Sequence, residues 1–95
     1  IANFGHAGDG NLHSTLLKPQ QLSNEEWESL STEIEWELFR LVDSMGGVIS
    51  GEHGIGSKRK KYFMGLCPET KLLMMRKIKE ALDPKGIMNP GKIFD

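Results

Sequence analysis

The sequence predicts an α+β fold: a small, mainly antiparallel sheet packed by two long helices and one short helix. Two stretches, Trp27 to Met45 and Leu72 to Leu82, repeat apolar residues at helical spacing. Between Asn11 and Leu17 the two sets Leu12, Ser14, Leu16 and His13, Thr15, Leu17 alternate with the period of a strand. All three histidines lie in or at the edge of glycine-rich segments, and His6 and His53 fall outside both periods.

Taken in order, Ile1 to Phe4 is a short apolar run that reads as the end of a strand. Gly8-Asp9-Gly10 reads as a turn, because glycine tolerates positive φ and Asp favours turns. A strand follows from about Asn11 to Leu17 and ends before Pro19, which lacks the donor that a central strand needs. Ser23 and Glu26 form a capping-box pattern ahead of Trp27, Leu30, Ile34, Leu38, Leu41, Val42 and Met45, with Gly46-Gly47 as the stop. Trp36 and Phe39 fall off that stripe and suggest a second buried or partner-facing surface.

Val48-Ile49-Ser50 is brief and partly β-branched and reads as a strand leading into Gly51-Glu52-His53-Gly54. Ser57 to Phe63 reads as a short helix whose Lys58, Arg59, Lys60 and Lys61 form a solvated face. A second long helix starts at Pro68-Glu69 and carries Leu72, Leu73, Met75, Ile78 and Leu82 up to an Asp83-Pro84 stop. Met74, Met75 and Met88 read as packing residues. Asn89-Pro90-Gly91-Lys92 reads as a turn in a C-terminal loop.

Ninety-five residues suffice for one small domain with little stability to spare. Twelve Lys and Arg against 13 Asp and Glu leave a net charge of −1, which provides no global attraction to nucleic acid or to an anionic membrane. The single Cys67 cannot form an internal disulfide and fits a reducing compartment such as the cytoplasm.

The histidines carry the chemistry. On one continuous strand His6 and His13, seven apart, would point to opposite faces. A helix would align them, but Gly5, Gly8 and Gly10 each cost it roughly 1 kcal/mol. A bend at the glycines is the arrangement that brings both imidazoles toward one point. Two imidazoles and one carboxylate, with a position left open, are a recurring ligand set for a catalytic divalent metal, and Glu52 is the natural third ligand. Adjacent side chains on an extended segment diverge, so Glu52 and His53 are expected to do different jobs.

The segments Gly5-His6-Ala7-Gly8-Asp9-Gly10-Asn11-Leu12-His13, Ser50-Gly51-Glu52-His53-Gly54-Ile55-Gly56 and Leu82-Asp83-Pro84-Lys85-Gly86-Ile87-Met88-Asn89-Pro90-Gly91-Lys92 resemble the C-terminal part of the FAD-linked oxidases. That group includes glycolate oxidase, D-lactate dehydrogenase and D-2-hydroxyglutarate dehydrogenase. The resemblance implies that residues 1–95 are the C-terminal portion of the substrate, or cap, domain of a longer protein whose FAD-binding domain lies outside this chain. It implies oxidation of a D-2-hydroxy acid with hydride passing to FAD.

Laid on the matching positions, the chemistry makes His6, His13 and Glu52 ligands of a divalent metal, zinc first. His53 becomes the general base, work for which an imidazole is suited. Asn11 and Asn89 are expected to contact the cofactor or, for Asn11, the substrate, and Asp9 is a turn residue or orients an imidazole. Partners implied are the small 2-hydroxy acid, the FAD domain, an electron-transfer partner and a second copy of the chain, with no nucleic acid. The expected location is cytoplasmic, extending to the cytoplasmic side of a membrane. Three alternatives stay open on the residues alone: a metal-dependent hydrolase, a structural metal module closed by Asp9, and a relative acting on a phenol or ether-lipid precursor.

Overall fold

The computed structural model describes residues 1–94, which form two compact units, Ile1–His53 and the segment from Gly54 onward. In the first unit, strands β1 (Ala2–His6) and β2 (Asn11–Thr15) pair antiparallel across a single 3-10 turn, Ala7–Asp9. Gly10 closes that turn at φ 65°, a left-handed conformation that glycine adopts without the steric cost of a Cβ, and its N–H donates to the Ala7 carbonyl. Gly5 is needed for another reason. A Cβ there would lie 2.1 Å from the backbone oxygen of Asn11, so only hydrogen fits between the strands at that point.

Helix α1 (Asn24–Ser44) begins with the complete capping box that its sequence announces. The Ser23 hydroxyl accepts from the Glu26 amide at 3.1 Å, and the Ser23 amide donates to the Glu26 carboxylate at 2.9 Å. Its stop is equally local: Gly46 turns left-handed at φ 80°, while the amides of Gly46 and Gly47 donate to the carbonyls of Asp43 and Val42. This is the Schellman pattern, which satisfies two otherwise orphaned helix carbonyls. Trp27, Ile34, Leu38 and Val42 are half-buried, as are Trp36 and Phe39 off the main stripe, whereas Leu41 and Met45 stand in solvent.

The second unit holds α2 (Lys60–Leu66) and α3 (Glu69–Leu82), with Tyr62 and Leu72 buried at 2% and 3% exposure. Cys67 is extended ahead of Pro68, and Asp83 leaves helical geometry ahead of Pro84, as proline's clash with the preceding residue requires. After α3 the nearly buried Asp83 carboxylate accepts from the amides of Ile87 and Met88 and from Lys79. Lys79 also donates to the Met88 carbonyl at 2.6 Å. The tail is tied back to its own unit by the Ile93 amide on the Gly56 carbonyl and by Lys60 on the Gly91 carbonyl.

The fold class agrees with the sequence, and two local elements differ. Val48–Ser50 is not a strand: the sheet among the described residues is made of β1 and β2 alone. The short helix starts at Lys60 and not at Ser57, because Gly54 and Gly56, both at positive φ, hold the preceding chain in turns. No helix among the described residues is long and apolar enough to cross a membrane.

Candidate functional site

The hairpin register decides where the histidines point. His6 is opposite Asn11 and Phe4 is opposite His13, so these four side chains share one face of the two-stranded sheet. His6 and His13 are diagonal neighbours on it, with ring centroids 6.0 Å apart and planes at 79°. The odd sequence separation that would split them on one strand unites them across the turn.

Glu52 reaches the same face from the segment after α1. Its Oε1 accepts from His13 Nε2 at 2.8 Å and from Asn11 Nδ2 at 2.9 Å. The Nε2 atoms of His6 and His53 both lie 3.7 Å from that oxygen. Desolvation opposes ionisation of Glu52, but the hydrogen bonds from His13 and Asn11 and the nearby His53 and His6 imidazoles win and hold its carboxyl below the usual carboxylate range. His13 is the shielded member, with 18% of its side chain exposed, whereas His6, His53 and Glu52 open to solvent at 61%, 64% and 43%.

The group whose ligand atoms all lie within 4.8 Å of one another is His6, His13 and Glu52. These are the residues the sequence nominates, and neither Asp9 nor His53 belongs to the group. Two imidazole nitrogens and a carboxylate oxygen at this mutual distance, on an open face, suit a divalent ion that keeps a free coordination position. The divergence expected of Glu52 and His53 on an extended segment is not found: residues 51–53 form a bend, and both side chains reach the cluster. His53 sits beside His13, ring centroids 5.2 Å apart.

Sequence reading missed two contributors. Phe4 stacks on His13 with centroids 4.9 Å apart, a pairing that only the strand register creates. Gly51 leaves room for the Asn11 side chain, whose Oδ1 would be 2.6 Å from a Cβ at position 51. The basic run is less solvated than its composition suggests. Arg59 donates to the Gly54 carbonyl at 3.5 Å, Lys60 is bound to the tail, and Lys61 lies over the Tyr62 ring. Asn89 lies in the second unit, exposed and at φ 47°.

The chain belongs to the FAD-linked oxidase family: residues 1–93 match the model for the FAD linked oxidases, C-terminal domain. Among its relatives, the D-lactate dehydrogenase of Archaeoglobus fulgidus is 45% identical over 98% of this chain and 20% of its own length. The D-2-hydroxyglutarate dehydrogenase of Stutzerimonas stutzeri is 40% identical over 99% of the chain and 20% of its own length. The glycolate oxidase subunit GlcD of Bacillus subtilis is 38% identical, again over 99% of the chain and 20% of its length. The chain thus spans about a fifth of these relatives. No solved structure matches it.

Proposed function

We propose that this chain is the substrate-holding part of an FAD-dependent dehydrogenase that oxidises a D-2-hydroxy acid of the glycolate, D-lactate or D-2-hydroxyglutarate class to the 2-oxo acid. The observation that carries the reading is the convergence of His6, His13 and Glu52 within 4.8 Å on one open face. In this reading those three side chains hold a divalent ion, zinc first, and most of the flavin's contacts are made outside this chain, with Asn89 as a contributor from within it. When bound, the ion would supply Lewis acidity toward the substrate hydroxyl and carboxylate, and the flavin a hydride acceptor for the substrate carbon.

The chain's own residues then have separate tasks. Phe4 stacks on the His13 ring and holds its orientation, leaving Nε2 directed at Glu52. His53 takes the hydroxyl proton at Nε2 as the C–H bond breaks and the C=O bond forms. It returns that proton to water, to which its side chain is largely open. An electron-transfer partner that reoxidises the flavin and a cytoplasmic setting belong to the same proposal.

The test is made on the complete protein that contains this chain. Visible absorbance should show bound flavin, elemental analysis about one metal per chain, and at least one of glycolate, D-lactate and D-2-hydroxyglutarate should reduce an artificial acceptor. Residues 1–95 alone, supplied with FAD, should give no turnover. A colourless, metal-containing protein that hydrolyses esters or amides would replace this reading with that of a hydrolase.

A further inference from the structure

Glu52 lies on an irregular bend with no regular element to fix its side chain, and a free glutamate has several rotors to lose on binding a metal. Its Oε1 is nevertheless in one place, between His13 and the carboxamide of Asn11. Asn11 is the first residue of β2 and is paired with His6, so the sheet sets its position. Its Nδ2 donates to Oε1 at 2.9 Å. A neutral carboxamide remains a donor whatever the protonation of the surrounding imidazoles.

The other side of the contact is Gly51. Its φ is not positive, so the backbone there does not demand glycine. Space does: a Cβ would lie 2.6 Å from Oδ1 and 2.9 Å from Cγ of Asn11. Any larger residue would push the carboxamide out of the gap and away from Glu52.

We propose that Asn11 is a positioning residue that holds Glu52 for metal binding, and that residue 51 is glycine so that the carboxamide can enter. This rests on the metal reading above and adds to Asn11 a task besides the cofactor or substrate contact expected from its motif. Asn11 and Gly51 then form one device, in which either substitution produces the same defect and the second adds little.

The experiment measures zinc affinity of the complete protein by competition with a chromophoric chelator, beside circular dichroism and a thermal midpoint for each variant. Asn11→Ala should weaken zinc roughly 10- to 100-fold, the usual effect of losing a partner that orients a ligand. Gly51→Ala should weaken it comparably, and the double variant no more than either alone. In a Glu52→Ala background, Asn11→Ala should change zinc affinity no further, which a general loss of structure would not reproduce. Native zinc affinity in Asn11→Ala and Gly51→Ala, with normal binding by the unaltered protein, would overturn this inference and leave the metal reading intact. So would effects of Asn11→Ala and Glu52→Ala that simply add. Absence of zinc binding by the unaltered protein would overturn both.

Discussion

Phe4 lies nearly flat against His13, with the ring planes 19° apart, and the two residues are direct partners across the β1–β2 hairpin. The stack restrains the imidazole that makes the shortest contact to Glu52, and it leaves 61% of the phenyl residue exposed. Since little burial is at stake, its value lies in the ring pairing itself, about 0.5–1.5 kcal/mol. Phe4→Ala is therefore expected to weaken zinc binding by roughly two- to tenfold while the complete protein remains folded, as chelator competition and circular dichroism would show.

Ligand and base can be told apart by substitution. His13→Ala removes one of the three side chains proposed to hold the metal and should lower metal content and activity together. His53→Ala should keep nearly all the metal and lose about 100-fold or more in turnover, the scale of a missing general base. Elemental analysis beside turnover decides the matter. Metal lost from His53→Ala and kept by His13→Ala would exchange the two roles.

At Gly5 the expectation concerns the hairpin as a whole. A methyl group there would meet the Asn11 backbone oxygen at 2.1 Å, and backbone cannot swing aside as a side chain can. Gly5→Ala should destabilise the protein by roughly 1–3 kcal/mol, the usual cost of overpacking, and loosen the His6–His13 pair. Chemical denaturation would measure the first effect and metal affinity the second. A wild-type midpoint would show that the strands can separate at no cost.

Asp83 predicts a pH dependence. The Lys79 hydrogen bond leads, the Met88 and Ile87 amides add to it, and together they outweigh desolvation to hold the carboxyl below the usual Asp range. A depressed native pKa means that the unfolded chain binds the proton more readily. The contribution to stability is thus complete above the ordinary Asp pKa of about 3.9 and disappears as pH falls through the lower native value. Unfolding free energy measured from pH 6 downward should fall more steeply below about pH 4 in the unaltered protein than in Asp83→Asn. Identical profiles for the two would exclude the effect.

The elements that depend on neighbours in sequence are the ones the chain announces for itself. Ser23 with Glu26, Gly46 after Met45, and Pro84 after Asp83 mark helix ends through bonds and clashes within a few positions, and the structure places those ends accordingly, whereas the short helix, expected to end at Phe63, runs on to Leu66. The run Val48–Ser50 shows the boundary of such reading: part of it is β-branched, but a strand exists only where a partner strand supplies hydrogen bonds. The start of α2 was likewise set by the turns at Gly54 and Gly56 and not by the helix-forming residues from Ser57.

What the sequence determined by itself was the set of candidate site residues: His6 and His13 on either side of a glycine turn, and Glu52 with His53 in a second glycine-rich segment. Tertiary structure decided their arrangement. Strand register put His6 and His13 on one face, with Phe4 against His13, and the contact between Asn11 and Glu52 joins residues 41 positions apart. A periodicity can be read along a chain because successive residues share one backbone geometry. The meeting of two distant segments obeys no such period, for it is set by how β1 and β2 pair and by where α1 returns the chain.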